Sequence, residues 1–182
     1  MRLKRFGAQG KPWPPGLIMT REISVLFVCL GNICRSPMAE GVFRHLLDQE
    51  GLSDRFRVDS AGTGRWHVGE SPDPRAVRTA AAHGVTLEGR ARQSRREDFR
   101  QFDYIVAMDR SNLADLRRHR DGVGGDASLL LLREFDPKGG AEAEVPDPYY
   151  GGTSGFEDVF AIVERSCRGL LNHILEEDGL VS

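Results

Sequence analysis

The sequence predicts an α/β fold, a three-layer sandwich with a parallel sheet between two layers of helices. Short β-branched and aromatic runs, typical of buried strands, recur at residues 23–28, 56–60, 104–108 and about 127–132. Helical patterns alternate with them at residues 37–50, 73–83, 111–119 and 156–177. Strands and helices that alternate with short connections form parallel sheets covered by helices on both faces.

The segment between the first strand and the first helix holds the strongest functional signal. Cys29 opens this loop and Arg35 closes it. Backbone N–H groups of such a loop converge on one point, to which the helix N-terminus adds partial positive charge, so a phosphate-sized anion fits there. The residues predicted to bind it are Leu30, Gly31, Asn32, Ile33, Cys34, Arg35 and Ser36.

The same loop supplies two groups with chemical roles. In that positive field the Cys29 thiol is expected to ionise more readily than a free thiol, and its thiolate is a nucleophile aimed at phosphorus. Arg35 can hold two phosphoryl oxygens through its planar fork. The alternative interpretation is a small buried cysteine at a strand end beside a surface arginine, and Gly31 in the loop, Ser36 next to Arg35 and the flanking strand and helix favour the catalytic one.

Length, net charge and cysteine count limit the classes of protein to which this chain can belong. A chain of 182 residues with a net charge of −2 and 29% charged residues is expected to form one domain, without nucleic-acid or membrane binding. Three cysteines without metal-ligand spacing fit a reducing compartment, so we expect a cytoplasmic protein. We also expect a monomer that needs no metal or cofactor. Residues 1–20 are basic and then proline-rich without an apolar signal region, which predicts a disordered extension before a domain spanning residues 21–180. A proline-rich docking segment is the alternative.

Asp147 is the candidate for the acid that a phosphate ester requires. It lies between Pro146 and Pro148, which stiffen the loop and hold the carboxyl in one direction. An expelled oxygen is costly without a proton, so a positioned carboxyl near the thiol has a clear use. By composition alone, an ordinary Asp-Pro turn is the favoured interpretation of this segment.

Four stretches together resemble the low-molecular-weight protein tyrosine phosphatases. They are Cys29-Leu-Gly-Asn-Ile-Cys-Arg-Ser-Pro37; Asp59-Ser-Ala-Gly-Thr63 with Trp66-His-Val-Gly69 and Asp73-Pro-Arg75; Ala107-Met-Asp-Arg-Ser-Asn112; and Pro146-Asp-Pro-Tyr-Tyr150. The resemblance implies a four-stranded sheet in the order 2-1-3-4 and hydrolysis of phosphotyrosine in proteins through a phosphocysteine on Cys29. It also implies that Asp147 is the general acid and base, that Trp66, Tyr149 and Tyr150 wall the substrate cleft, and that Asn32 and Ser60 order the loop.

Other interpretations stay open at this point. A thiol-dependent arsenate reductase shares the fold but needs resolving cysteines, and residues 84–103 contain none. A phosphoarginine phosphatase typically has threonine where this chain has Ile33. Cys34 is either a thiol that captures an oxidised Cys29 or a packing residue, and Cys167 is expected to be core. Asp73 and Asp109 are expected to be helix-start residues, and Arg75 a surface charge.

Overall fold

The computed structural model of the chain describes residues 21–140, 143–151 and 153–179, and the extension predicted over residues 1–20 lies outside them. The strands are β1 (Ile23–Cys29), β2 (Phe56–Gly62), β3 (Tyr104–Ala107) and β4 (Ser128–Leu131). The helices are α1 (Arg35–Gln49), α2 (Pro74–Ala82), α3 (Asp98–Gln101), α4 (Arg110–Arg120) and α5 (Thr153–Glu177). All predicted elements are present with ends shifted by at most three residues, and the short α3 was not predicted.

The four strands form one parallel sheet in the order β2-β1-β3-β4, which confirms the predicted topology. β1 is central, with Val25 beside Val58 of β2 and beside Tyr104 of β3. The chain therefore moves outward from β1 to β2 and then crosses back to β3 on the other side. The loops that follow β1 and β3 diverge at this switch in direction, which is where ligands bind in open α/β sheets.

The sheet separates two apolar cores, as the alternation of side chains along a strand requires. Ile23, Val25 and Phe27 of β1 pack in the larger core, which α1, α2 and α5 cover. Leu26 and Val28 point to the other face and pack in the smaller core under α3 and α4. Every residue of β1 is buried, and apart from Ser24 its sequence is apolar rather than alternating.

Helix α1 begins at Arg35, two residues earlier than the pattern predicted. Pro37 is compatible with this start because the first four N–H groups of a helix have no intrahelical partner. The first α-helical bond accordingly runs from the Met38 N–H to the Cys34 carbonyl. Arg35 is thereby held by the first turn of the helix rather than by the loop.

Candidate active site

The phosphate loop, residues 30–34, joins the end of β1 to the start of α1 and curls around the sulfur of Cys29. Cys29 is the last residue of β1 and only 3% exposed. Asn32 has a left-handed backbone (φ 56°), and its N–H donates to the Cys29 Sγ over 3.3 Å. Asparagine tolerates this conformation better than other non-glycine residues do. The loop therefore presents a backbone donor to the position where the nucleophile is predicted.

Hydrogen bonds connect the Cys29 sulfur through Ser36 and the Asn32 side-chain amide to Ser60 on β2. The Ser36 Oγ lies 3.0 Å from the Cys29 Sγ. The Asn32 Nδ2 donates to the Ser36 Oγ and to the Ser60 Oγ, each over 2.9 Å, and its Oδ1 accepts the Arg92 N–H. The structure thus brings together Asn32 and Ser60, the two residues that the resemblance implies order the loop.

The Glu40 carboxylate, which contacts Ser60, sets the direction of these hydrogen bonds. The Ser60 Oγ donates to the Glu40 Oε2 over 2.7 Å, so it is free to accept from Asn32. Since the Ser36 Oγ also accepts from Asn32, its own hydrogen can point to the sulfur or to the Ala61 carbonyl 3.3 Å away. Burial raises the pKa of Glu40 against the opposing effect of Ser60 and Arg44. Sequence reasoning missed Glu40.

Arg35 connects the phosphate loop to two other segments. Its Nη1 donates to the Asp109 Oδ2 over 2.7 Å and to the Val145 carbonyl over 3.1 Å, and its Nη2 donates to the Asp147 Oδ2 over 3.2 Å. The guanidinium is almost fully buried, and burial opposes its charge, but Cys29, Asp109 and Asp147 raise its pKa. The predicted nucleophile, cation and acid therefore meet at one place.

Asp109 has a second role besides the predicted one. It is the N-cap of α4 and accepts the Asn112 N–H over 2.7 Å, as expected for a helix-start residue. Its other carboxylate oxygen holds Arg35. Because β3 ends beside β1, a residue just beyond β3 lies at the edge of the sheet that carries the phosphate loop. The position of Asp109 just after β3 is therefore the sequence feature that could have predicted its contact with Arg35.

The segment that carries Asp147 is tied to the same edge of the sheet. The Val145 N–H donates to the Met108 carbonyl beyond β3 over 2.9 Å. The Tyr149 N–H donates to the Asp147 Oδ1 over 3.0 Å, so both carboxylate oxygens are engaged. The Asp147 side chain remains 41% exposed. It can therefore reach a group that enters from solvent.

An open cleft of about 310 Å³ lies above the loop. It is lined by Cys29, Leu30, Gly31, Ile33, Cys34, Arg35, Trp66, His67, Asp147, Tyr149 and Tyr150. The three aromatic residues predicted for its wall are exposed, Trp66 by 71%, Tyr149 by 37% and Tyr150 by 94%. Burial therefore does not explain them. His67, whose Nδ1 lies 2.8 Å from the Glu70 Oε2, is a lining residue that sequence reasoning missed.

Arg75 is more than the surface charge that was expected. Asp73 caps α2 as predicted, accepting the Arg75 N–H, and its own N–H donates to the Ile33 carbonyl of the phosphate loop over 2.7 Å. The Asp73 carboxylate also pairs with the Arg75 guanidinium, which donates to the Tyr149 carbonyl over 3.1 Å. The start of α2 thus connects the phosphate loop to the segment that carries Asp147.

The other two cysteines differ from Cys29 in environment. Burial, with the charge of Asp73 as a smaller cause, raises the pKa of the Cys34 thiol to about 12. Cys167 is fully buried on α5, as predicted, and burial raises its pKa as well. A protonated thiol is a poor nucleophile, which favours the packing interpretation of Cys34 at neutral pH.

The described residues hold neither a cluster of potential metal ligands nor a helix that could span a membrane. They contain no group of three or more histidine, cysteine or acidic side chains placed to hold a metal ion. None of the helices within these ranges combines the length and the apolar character that crossing a membrane requires.

Comparison with known proteins agrees with the motifs. The family model for low molecular weight phosphotyrosine protein phosphatases matches residues 24–179. The pig low molecular weight phosphotyrosine protein phosphatase is 48% identical over 152 residues, 83% of this chain and 95% of that protein. A protein tyrosine phosphatase from Entamoeba histolytica, solved with Hepes in its active site, superposes with a TM-score of 0.79 at 36% identity, over 88% of this chain and 100% of that one. A Drosophila arginine phosphatase superposes with a TM-score of 0.77 at 37% identity, over 82% and 96% of the chains.

Proposed function

Because this chain belongs to the low molecular weight phosphotyrosine protein phosphatase family, we propose that it hydrolyses phosphotyrosine in proteins through a phosphocysteine intermediate. The observation that carries the proposal is the meeting of Cys29, Arg35 and Asp147 at the base of one cleft. Cys29 and Arg35 flank one loop, but Asp147 lies 112 positions after Arg35 in the sequence, so its meeting with them is a property of the fold.

In the first step, the Cys29 thiolate attacks phosphorus and the bond from phosphorus to the phenolic oxygen breaks. Asp147 gives its proton to the departing oxygen. The loop N–H groups and Arg35 stabilise the equatorial phosphoryl oxygens, and such positioning and charge stabilisation do most of the work in phosphoryl transfer. The Ser36 hydroxyl, 3.0 Å from the sulfur, can donate to the thiolate.

In the second step, water attacks the phosphorus of phosphocysteine and the bond from sulfur to phosphorus breaks. Asp147, now a carboxylate, accepts a proton from that water and is ready for the next cycle. Phosphate leaves and the thiolate is regenerated. These residues supply the nucleophile, the positive charge and the proton transfer, so the scheme has no step that calls for a metal.

The cleft wall supports an aryl substrate. Trp66 and Tyr149 present exposed rings above a buried nucleophile, so a phenyl ring can fill the distance between the rim and Cys29. A phosphoserine side chain is too short to do so. The likeness to a Drosophila arginine phosphatase favours phosphoarginine as the second candidate substrate. Against it, this chain has Ile33 where that activity typically has threonine.

The proposal also covers the cellular location and the oligomeric state of the protein. All three cysteines are unpaired thiols, which suits a reducing compartment, and we propose a cytoplasmic location. A monomer suffices, since one chain supplies every group of the proposed site.

The experiment compares three peptides of one sequence that carry phosphotyrosine, phosphoserine or phosphoarginine. Phosphate release is measured for wild type and for Cys29→Ser, which keeps the side-chain size but has no thiolate. We expect the phosphotyrosine peptide to be hydrolysed with the highest kcat/KM and the variant to be inactive. A higher kcat/KM for phosphoarginine would establish the second candidate instead.

A further inference from the structure

The segment that carries Asp147 has few amide donors with which to anchor itself. Pro146 and Pro148 flank Asp147, and proline has no N–H. The Val145 N–H donates to the Met108 carbonyl, and the segment's own carbonyl groups provide its further anchors. Three of these accept from an arginine in the structure, at Glu144, Val145 and Tyr149.

The three arginines come from different parts of the fold, and each lies beside an aspartate. Arg35, on α1 and beside Asp109, donates to the Val145 carbonyl and belongs to the site already described. The other two, Arg75 and Arg133, do not line the cleft. They hold the carbonyls at the two ends of the segment, one on each side of Asp147.

Arg75 holds the end of the segment that follows Asp147. Its Nη1 donates to the Tyr149 carbonyl over 3.1 Å, and its Nε and Nη2 donate to Asp73 over 3.0 and 2.9 Å. The guanidinium carbon also lies 5.5 Å from the centre of the Tyr149 ring and 4.8 Å from that of the Phe156 ring on α5. With its donors committed on two sides, Arg75 has one preferred position.

Arg133 holds the end that precedes Asp147. Its Nη1 donates to the Glu144 carbonyl over 2.8 Å, and its Nε lies 3.6 Å from the Asp136 Oδ2. Asp136 is fixed in turn, because its fully buried carboxylate accepts two hydrogen bonds of 3.0 Å from Arg165 on α5. Contacts through Arg165, Asp136 and Arg133 therefore connect α5 to Glu144, which lies three residues before Asp147.

We propose that Arg75 and Arg133 are positioning residues that hold the Asp147 segment in register, so that the carboxyl meets the oxygen that leaves the substrate. This inference rests on the proposed role of Asp147 as general acid. Neither arginine touches the reacting atoms. Misplacement by 1 Å through a distant change can cost about 10²-fold in rate, so a carbonyl anchor at each end has a measurable value.

The test measures kcat/KM for a series of aryl phosphates of graded leaving-group acidity. Proton donation matters most when the departing oxygen is basic. We expect Arg75→Met and Arg133→Met to lower kcat/KM about tenfold or more for the poorest leaving group and less than about threefold for the best. Arg133→Lys, which keeps a donor and a charge beside Asp136, is expected to recover part of the loss.

The matched control is Arg118→Met on α4, which removes an exposed arginine that pairs with Asp115 away from the cleft. It is expected to leave kcat/KM unchanged across the series. The rate with the best leaving group and the melting temperature report whether each variant is folded. Should Arg133→Met fail to fold, Arg75→Met, at a more exposed position, decides the question.

Asp147→Ala separates this inference from the proposed function. We expect its losses to be graded by leaving group, and Arg75→Met to add no further gradation in that background. Equal slowing across the series by both arginine variants, or no slowing, would overturn the positioning role while Asp147 keeps its own. Equal slowing by Asp147→Ala would overturn the acid role and the positioning role together.

Discussion

The Arg35 guanidinium lies 3.2 Å from the Asp147 carboxylate, a contact between residues 112 positions apart in the sequence. This contact places the carboxylate of the predicted acid next to the guanidinium that is predicted to bind the phosphoryl group. A bound phosphoryl group would present its own oxygens to the same Nη2. Arg35 therefore connects binding of the substrate to the position of the acid.

Replacing Arg35 with lysine tests whether the forked geometry is required. Lysine keeps the charge but cannot reach Asp109, the Val145 carbonyl and Asp147 from two separate nitrogens. We expect Arg35→Lys to lower kcat/KM for an aryl phosphate by about 10²-fold or more and to weaken inhibition by inorganic phosphate. Arg168→Lys, on the surface of α5, serves as the control. Wild-type kinetics in Arg35→Lys would show that the site needs only a positive charge at this position and not the forked geometry of arginine.

The position of Trp66 depends on a glycine. A Cβ added at Gly64 would overlap the indole of Trp66, so Gly64→Ala is expected to displace that ring from the cleft wall. Both Gly64→Ala and Trp66→Ala are predicted to raise KM for a phosphotyrosine peptide about 3- to 10-fold, since an aromatic contact is worth about 0.5–1.5 kcal/mol. Val68→Ala, at an exposed position in the same loop, is the control. An unchanged KM in both variants would remove Trp66 from substrate binding.

The thiols of Cys29 and Cys34 are expected to differ in reactivity although they share one loop. The pKa of Cys34 is raised to about 12, chiefly by burial, so Cys34 is protonated at pH 7 and gains reactivity only as the pH approaches that value. Iodoacetamide at pH 7 is predicted to label one site, Cys29, with phosphate as a protectant. Mass spectrometry of wild type and Cys34→Ala should show the same single label. Two labels in wild type at pH 7 would contradict the difference between the thiols.

Local sequence was sufficient for the strands, the main helices and the thiol loop, because each is encoded in neighbouring residues. Side-chain periodicity does not say which strands are neighbours, so the order 2-1-3-4 depended on the resemblance to a family. The roles of Asp109 and Arg75 were missed for a related reason. Each contact spans 74 residues, and both residues already had a sufficient local explanation at a helix start.

In the proposed mechanism, Cys29 carries the phosphoryl group between the two steps. Asp147→Ala lacks the base for the second step as well as the acid for the first, so a substrate with a good leaving group should load Cys29 faster than water unloads it. The measurement is rapid acid quenching of this variant during turnover, followed by mass spectrometry of the peptide that contains Cys29. We predict a phosphoryl group on Cys29 and none in Cys29→Ser. Phenol release with no phosphorylated Cys29 in the quenched protein, at any time during turnover, would contradict it.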